Sequence, residues 1–377
     1  MDDNLNNSQV QQLKDLGFSA KTYAEAFEIF KNYGHEVIFH EVNGGDAFYY
    51  TDANGNNSKY YISRELMLKE YLETLIGAMR TVSVSPFVKW AGGKRQLLDK
   101  IDALLPSYIK ENKPFIYREY FVGGGAVLFH LLSNYPNMTS AVIVDNNADL
   151  INTYIQIKNN CEELIEKLTY FESVYNNYGS NQEQFYLGAR NEYNNADDLS
   201  EVERAMLFIL LNKTCFNGLY RVNKKGEFNV PWGKRNKVTL LDEQNIRNIS
   251  RLLNEKKVLI LCEDYKDVIY RARYNSEDKE RTFCYFDPPY LPVSNTSDFT
   301  AYTKEGFGKA ETDELFASLN FLNGIGNVDW MFSNSDTEYT RVSLEDYNIE
   351  TVSARRNINS DGNKRGKINE LIVRNYE

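Results

Sequence analysis

Residues 115–145 read FIYREYFVGGGAVLFHLLSNYPNMTSAVIVD, and this stretch decides the fold class. A strand-like run, Phe115 to Phe121, leads into a glycine-rich turn and an apolar helix. A second apolar run, Ala141 to Val144, then ends at Asp145. The order strand, glycine turn, helix, strand, acid is one βαβ unit. It predicts an α/β protein with a Rossmann-like sheet and helices on both faces.

The glycine turn and the following acid form a pattern typical of ligand sites. Glycines at 123, 124 and 125 let a ligand approach the backbone at the start of a helix. Asp145 stands twenty residues beyond Gly125, about the spacing at which an acid binds ribose hydroxyls. Nicotinamide, flavin and S-adenosylmethionine sites share this geometry, and a tight turn without a ligand would also satisfy the pattern.

A second motif, Asp287-Pro288-Pro289-Tyr290, follows the apolar run Thr282 to Phe286. The two prolines cannot continue a central strand, so they predict a rigid turn at the carboxyl end of the strand, where α/β enzymes bind ligands. Asp287 and the Pro288 carbonyl can accept both protons of an exocyclic amine, while Tyr290 stacks on the base that carries it. A loop exit with a surface tyrosine is the plain structural alternative.

These motifs belong to a longer ordered series that resembles the Dam-type and DpnII-type DNA adenine-N6 methyltransferases, the α group that modifies GATC. The series consists of residues 87–94 (FVKWAGGK), 121–125 (FVGGG), 216–223 (FNGLYRVN), 228–233 (FNVPWG), 287–290 (DPPY), 299–302 (FTAY), 333–336 (SNSD) and 365–373 (RGKINELIV). The resemblance covers about residues 86–377. It implies a methyltransferase sheet dependent on S-adenosyl-L-methionine, without a metal, that transfers a methyl group to a flipped adenine in double-stranded DNA.

The resemblance also assigns roles to single residues. The catalytic residues it implies are Asp287, Pro288, Pro289 and Tyr290. The cofactor-binding residues it implies are Trp90, Ala91, Gly92, Gly93, Lys94, Phe121, Gly123, Gly125, Asp145, Asp264 and Asp287. Core packing for Trp90 and a solvated helix charge for Lys94 are the alternatives, which the residues themselves leave open.

DNA recognition is expected in the middle of the chain. Residues 212–237 hold seven basic residues and one acid, which suits phosphate contacts, although a solvated basic hairpin would look the same. The DNA-binding residues implied are Lys89, Phe216, Asn217, Gly218, Leu219, Arg221, Pro231, Lys234 and Arg235. Arg221 is the candidate for a bidentate guanine contact in the major groove. A second basic cluster at residues 355–367 is expected to contact phosphates.

Three parts are expected along the chain. Residues 1–85 form a small α+β accessory module, with helices near 21–33 and 68–79 and strands at 36–42, 47–52 and 59–63. Residues 86–160 and 256–377 form the catalytic domain. Residues 161–255 form a recognition domain, largely helical with a β-hairpin at 217–232. The module has no counterpart in the family pattern, and dimerisation, an accessory role and binding of a protein partner all stay open for it.

Composition sets outer limits on function. The net charge of −10 argues against a general nucleic-acid coat protein but allows a local basic groove. Four cysteines without a C-x-x-C pair favour a cytoplasmic protein with reduced thiols, in a bacterial or phage-infected cell. The start of the chain lacks the features of a signal peptide, and no apolar run is long enough to cross a membrane.

Several alternatives to adenine methylation remain on sequence grounds. Cytosine-N4 methylation uses similar chemistry, more often with Ser in place of Asp287. A dinucleotide-dependent oxidoreductase would leave the Asp287 motif unused, and an inactive DNA-binding protein would not need Lys94. Two departures from the family pattern are Tyr120, where Pro is common, and the pair Lys234-Arg235, which makes readout of the outer base uncertain. A cognate restriction endonuclease acting on the same site is a further expectation.

Overall fold

The computed structural model describes residues 4–15, 18–31, 35–53, 55–79, 83–271, 280–290, 307–355 and 367–377. The chain divides into two compact units, residues 1–83 and residues 84–377. The further division of the larger unit into catalytic and recognition domains stays a prediction. Within the ranges described, no helix combines the length and the apolar character needed to cross a membrane.

The smaller unit packs helices against a two-stranded antiparallel sheet in its described part. Its elements are α1 (Asn7–Asp15), α2 (Tyr23–Lys31), β1 (Val37–Val42), β2 (Ala47–Asp52) and α3 (Arg64–Met79). Buried apolar side chains, among them Phe30 and Leu72, join these elements in one cluster. The sequence interpretation found α2, α3 and both strands of the hairpin but not α1.

The third strand predicted for this unit, at residues 59–63, is wrong. Tyr61 pairs with Phe48 through an isolated bridge, and no strand forms there. The physical reason lies at Ser58, whose hydroxyl accepts from the Tyr50 N–H at 2.9 Å and donates to the Lys59 carbonyl at 2.9 Å. A serine side chain that occupies backbone groups in this way competes with a regular ladder.

The described part of the larger unit contains one seven-stranded sheet in the order β5-β4-β3-β6-β7-β9-β8. Its strands are β3 (Phe115–Glu119), β4 (Met138–Asp145), β5 (Leu259–Cys262), β6 (Arg281–Phe286), β7 (Val328–Ser335), β8 (Asn348–Arg355) and β9 (Lys367–Arg374). Strands β3 to β7 pair in parallel, and β9 runs antiparallel to both of its neighbours. The three strand-like runs predicted from sequence, at residues 115–121, 141–144 and 282–286, correspond to β3, β4 and β6.

Helices connect the strands of the larger unit. They are α4 (Leu98–Ala103), α5 (Ser107–Lys110), α6 (Ala126–Asn134), α7 (Ala148–Asn159), α8 (Cys161–Asn176), α9 (Gln182–Asn195), α10 (Glu201–Thr214), α11 (Glu243–Glu255), α12 (Tyr265–Arg271), α13 (Lys309–Asn323) and α14 (Glu338–Ser343). The region from α7 to α11 is largely helical, as the sequence predicts.

Strand β6 shows why the sheet is covered on both faces. Successive side chains of a strand point to opposite faces. Cys284 and Phe286 join a buried cluster with Leu315 of α13, whereas Phe283 stacks on Tyr117 of β3 with ring centroids 5.9 Å apart. A continuous apolar strand is typical of a parallel sheet with helices on both faces. The predicted α/β architecture, a sheet between helices, is therefore confirmed.

The β-hairpin predicted at residues 217–232 is wrong in its regularity. Two isolated bridges, Cys215 with Trp232 and Val222 with Phe228, hold the segment together in place of strands. Asn217 has a left-handed φ of 57°, and Pro231 has no N–H to donate to a ladder. A short 3₁₀ turn over Phe216–Gly218 therefore replaces the start of the first strand.

Candidate active site

The glycine turn after β3 lies directly under the indole of Trp90. Gly123 has a φ of +47°, and a Cβ at this position would lie 2.7 Å from Trp90 Cδ1. The Gly123 N–H donates to Asp145 Oδ2 at 3.0 Å, and the Asn147 N–H donates to Asp145 Oδ1 at 3.0 Å. Glycine is thus needed here for the close approach of an aromatic ring, in addition to any ligand. Gly125 is the N-cap residue of α6.

Carboxylates follow three strands along one edge of the sheet. Asp264 follows β5, Asp145 ends β4, and Asp287 follows β6, with the glycine turn after β3 between the last two. Burial raises the pKa of Asp145, and the N–H groups of Asn147 and Gly123 oppose that rise. Since the carboxyl ends of parallel strands share an edge, the strand order alone brings these acids together.

Lys94 and Asp287 form an ion pair at the centre of this edge. Lys94 Nζ lies 2.5 Å from Asp287 Oδ1, and the lysine side chain is 3% exposed against 18% for the aspartate. Burial raises the pKa of Asp287, and the Lys94 charge opposes that rise. For Lys94, burial disfavours the charged form, but Asp287 and the neighbouring Tyr285 and Glu370 leave its pKa raised. The alternative of a solvated helix charge for Lys94 is wrong.

The remaining residues of the Asp287 motif surround this ion pair. Lys94 Nζ donates to Tyr290 Oη at 2.8 Å and lies 4.7 Å from the Tyr290 ring centroid. Ser333 Oγ of β7 donates to Asp287 Oδ1 at 3.3 Å. Pro288 is buried and Pro289 is half-buried. Asp287 is therefore held from two sides, by a cation and by a hydroxyl, and Tyr290 is tied to the same cation.

Hydrogen bonds of Asn212 in α10 join the motif at residues 87–94 to the predicted recognition segment. The Asn212 amide donates to the Lys89 carbonyl at 2.8 Å and the Gly218 carbonyl at 3.1 Å, and its oxygen accepts from the Lys89 N–H at 2.9 Å. A Cβ at Gly218 would lie 2.6 Å from Lys89 Cδ. Asn212 is buried, and sequence reasoning missed it because it lies within an apolar helical run.

Arg221 is exposed and oriented by Asn229. Arg221 Nε donates to Asn229 Oδ1 at 2.6 Å, and Nη2 donates to the Asn229 carbonyl at 3.2 Å. The predicted DNA-binding residues that are exposed are Lys89, Phe216, Asn217, Arg221, Pro231, Lys234 and Arg235. Leu219 is half-buried and Gly218 is buried. Burial lowers the pKa of Lys89, and the Arg235 charge lowers it further.

Some predicted motif residues cannot be placed. Residues 299–302, and most of the basic cluster at residues 355–367, lie outside the part of the chain described.

One buried acid that sequence reasoning missed is Glu119, which ends β3 just before the glycine turn. Tyr117 Oη donates to Glu119 Oε2 at 2.9 Å, and burial raises the pKa of this carboxyl well above its usual range.

The groups along this edge fit S-adenosyl-L-methionine. Asp145 is a half-buried acid at the position that can accept ribose hydroxyls, and Gly123 leaves backbone next to it without a side chain. The Trp90 ring offers an aromatic face beside the turn. Asp287 adds a negative charge to this edge, of the kind that suits a sulfonium cation. Two turns contribute to this edge. The turn after Trp90 contains Ala91, Gly92 and Gly93, and the glycine turn after β3 contains Phe121. Phe121 packs on Tyr265 with ring centroids 5.0 Å apart.

Comparison with known proteins identifies the family. The model of the D12 class N6 adenine-specific DNA methyltransferases matches residues 90–358. Over 299 residues the chain is 43% identical to the type II methyltransferase M.MjaIII of Methanocaldococcus jannaschii, covering 78% of this chain and 100% of that protein.

Two further relatives agree with this match. The chain is 40% identical to the type II methyltransferase M1.LlaDCHI of Lactococcus lactis subsp. cremoris, covering 78% of this chain and 96% of that protein. It is 34% identical to the DNA adenine methylase of Serratia marcescens, covering 76% of this chain and 97% of that protein. The chain therefore belongs to the D12 class of N6 adenine-specific DNA methyltransferases, site-specific enzymes that use S-adenosyl-L-methionine.

Proposed function

We propose that this enzyme methylates adenine N6 within GATC and that Asp287 is the group that activates the adenine amine. The observation that carries the catalytic part is the ion pair of Asp287 with Lys94, set at the carboxyl end of β6. The cation keeps a largely buried carboxyl available as an acceptor at neutral pH. The GATC target rests on the segment at residues 216–233 and on its resemblance to the GATC-modifying group.

The chemistry requires a more nucleophilic nitrogen. The amine lone pair of adenine is delocalised into the ring, so acceptors for both N–H groups favour a more tetrahedral nitrogen. Asp287 and the Pro288 carbonyl supply these acceptors, and neither proline of the motif has an N–H that would compete. S-adenosyl-L-methionine supplies an electrophilic methyl group. Trp90, Gly123, Asp145 and Asp264 hold it at the edge described above.

The target adenine must leave the duplex stack to reach Asp287. Tyr290 stacks on the flipped base, and Phe216 and Asn217 fill the space that it leaves. Phe216 is 51% exposed, which suits an aromatic side chain that enters a base stack. Lys89 and Arg221 read guanines, and Leu219 and Pro231 contact the thymine methyl group. Lys234 and Arg235 contact the duplex beside Lys89.

Methylation of defined duplexes tests this proposal. Purified enzyme, labelled S-adenosyl-L-methionine and duplexes of about 20 base pairs that carry GATC or one of its single-pair variants are incubated together, and the product nucleosides are identified. We expect N6-methyladenine in the GATC duplex and little in the variants. N6-methyladenine in another context overturns the target sequence, and absence of N6-methyladenine from every duplex overturns the role of the site.

Substitution of Arg221 is expected to relax recognition at one base pair. Arg221→Ala removes a bidentate guanine contact, so discrimination at that pair should fall by about 1–3 kcal/mol. The measurement is the ratio of kcat/KM for GATC and its single-pair variants. Arg221→Lys keeps the charge but loses the planar fork, so it should also relax recognition.

Lys225→Ala serves as the matched control for Arg221. Lys225 is exposed in the same segment and is expected to contact phosphate. Its loss should weaken binding to all duplexes equally and reduce the dependence of DNA affinity on salt. An unchanged discrimination profile in Arg221→Ala would remove this residue from base readout.

Substitution of Asn212 is expected to weaken both the fold and DNA binding. Asn212→Ala removes the partner of three backbone groups, the part-buried N–H and carbonyl of Lys89 and the buried carbonyl of Gly218. A buried group left without a partner costs about 1–3 kcal/mol. Because Lys89 and Gly218 belong to the proposed DNA surface, the dissociation constant for a GATC duplex should rise at least about 10-fold. Denaturant unfolding and DNA titration measure the two effects.

Asn245→Ala is the control for Asn212, since the Asn245 side chain bonds to both backbone groups of Ser85 at 2.9 Å. This variant should lose stability but keep its DNA affinity. Equal losses of affinity in the two variants would contradict a specific role for Asn212.

The wider setting is part of the same proposal. Residues 86–160 and 256–377 act as the catalytic domain and residues 161–255 recognise DNA. The enzyme works in the cytoplasm of a bacterial or phage-infected cell, on DNA that a cognate restriction endonuclease would otherwise cut. The unit at residues 1–83 is proposed as a binding element for a protein partner.

A further inference from the structure

We infer that Tyr220 is a positioning residue that couples cofactor binding to target recognition through its ring stack with Trp90. The inference rests on the proposed function, in which Trp90 lines the cofactor site and Arg221 reads DNA. It adds a residue with no assigned role, and it predicts that each ligand tightens the binding of the other.

The first half of the link joins Trp90 to the cofactor edge, which is the edge of the sheet that holds the glycine turn, Asp145 and Asp287. The Trp90 indole lies so close to the glycine turn that a Cβ at Gly123 would meet Cδ1 at 2.7 Å and Nε1 at 2.9 Å. The Gly123 N–H is bound to the Asp145 carboxylate at 3.0 Å. A ligand that settles on this turn must therefore press against the indole or shift it, because little free space separates the ring from the backbone.

The second half of the link joins Trp90 to Tyr220. The two rings are stacked, with centroids 5.7 Å apart and an angle of 25° between their planes. Phe208 of α10 and Phe228 also contact the tyrosine, with centroids 5.7 Å and 5.8 Å away. Packed aromatic rings transmit displacement because the interior has few voids into which a side chain can relax.

The hydroxyl of Tyr220 provides a second connection to the cofactor edge. Tyr220 Oη lies 3.4 Å from Asp149 Oδ2, in the first turn of α7, four residues after Asp145. Tyr193 Oη and Arg204 Nε each bond to the same carboxylate at 2.5 Å. Burial, with the Asp149 charge next, raises the pKa of Tyr220 to about 12, so the hydroxyl keeps its proton. It therefore acts as an anchor for the ring.

Tyr220 passes the effect to the next residue. Arg221 accepts a hydrogen bond at its carbonyl from the Asn229 N–H at 3.0 Å, and its guanidinium is bound to the Asn229 side chain. A shift of the Tyr220 ring therefore moves a backbone whose exposed guanidinium is already oriented. If the Tyr220 ring did not stack on Trp90, no packed contact through that ring would join the cofactor edge to Arg221.

The test is a binding cycle with the full chain. The dissociation constant of a GATC duplex is measured with and without saturating S-adenosylhomocysteine, which lacks the methyl group, and the ratio of the two constants is the coupling factor. Coupling between two sites is typically 5- to 150-fold and is the same in both directions. We expect a factor of at least about 5 in the wild type, falling to about 1 in Tyr220→Leu.

Two further variants separate coupling from loss of structure. Tyr220→Phe keeps the ring and should keep most of the coupling. Tyr170→Leu makes the same change as Tyr220→Leu at a side chain of α8 that is 64% exposed, and it should match the wild type. A general structural defect would weaken the binding of both ligands without changing the coupling factor.

Each outcome decides the matter. A wild-type factor near 1 with normal binding of both ligands overturns the coupling and leaves the proposed function intact. The same holds for a Tyr220→Leu factor equal to that of the wild type. The same constants measured with a duplex that lacks GATC keep the two proposals apart, because equal affinity of the wild type for both duplexes would overturn the target proposal whatever the coupling factor.

Discussion

Asp287→Asn is expected to lower kcat by about 1,000-fold or more, while the fold and the DNA affinity stay near those of the wild type. The amide oxygen can still accept from Lys94, but the group loses its charge and presents an N–H₂ toward the adenine amine, where an acceptor is needed. Losing one electrostatic or acid–base group at a reacting centre typically costs about 10²–10⁴ in rate. Single-turnover methylation of a GATC duplex measures the effect.

Asparagine is a sharper test here than alanine. Both substitutions remove the charge that faces Lys94, but only the asparagine oxygen can still accept the hydrogen bond from Lys94 Nζ. Asp287→Ala leaves this buried ammonium with neither counter-charge nor acceptor, a defect that destabilises a fold by about 3–5 kcal/mol. Asp336→Asn is the matched control, because Asp336 follows β7 on the same sheet and pairs with Arg341 at 2.7 Å. We expect near wild-type turnover in the control. Turnover within a factor of ten of wild type in Asp287→Asn would exclude the assigned role.

Lys94→Met is expected to shift the pH dependence of the enzyme upward. Burial raises the pKa of Asp287, and Lys94 is the nearest group that lowers it. An opposite charge at this distance lowers a carboxyl pKa, so its removal should raise the Asp287 pKa further. The active form is the carboxylate, which is lost as the pH falls through this pKa. The acid limb of kcat/KM should therefore move to higher pH.

The control for Lys94 keeps its charge. Lys94→Arg should retain most of the effect on Asp287, so its acid limb should lie within about one unit of the wild type. The profiles of kcat/KM against pH report groups of the free enzyme and are measured for all three proteins. Superimposable acid limbs in the wild type and Lys94→Met would show that the lysine does not tune Asp287.

Much of the sheet could be predicted from sequence because its strands are buried on both faces. Such strands are continuous apolar runs between turn residues, as in residues 282–286, and these need no knowledge of neighbours. Strand β8 was missed for the opposite reason. Its apolar side chains Ile349 and Val352 are three residues apart, which fits neither a buried run nor a strict alternation. It forms because β9 pairs with it along its whole length.

The candidate site was predictable where chemistry is local and not where it depends on distant contacts. The glycine turn and the Asp287 motif have characteristic residue types in short stretches. The ion pair joins Asp287 to Lys94, 193 positions away, and no spacing rule connects the two. Asn212 is one polar residue in an apolar helix, so its role depends on backbone groups of Lys89 and Gly218 that only the fold brings near.

The position of β9 has a consequence for biosynthesis. It pairs with β7 on one side and β8 on the other, although it follows both along the chain. Until the ribosome has released residues 367–374, β8 lacks its partner and β7 has an unpaired edge, a template for association with other chains. Ser333, which contacts Asp287, lies on β7. The sheet that carries the catalytic edge is therefore incomplete until β9 has been synthesised, and a nascent chain arrested earlier would expose an unpaired edge of β7 that is prone to aggregation.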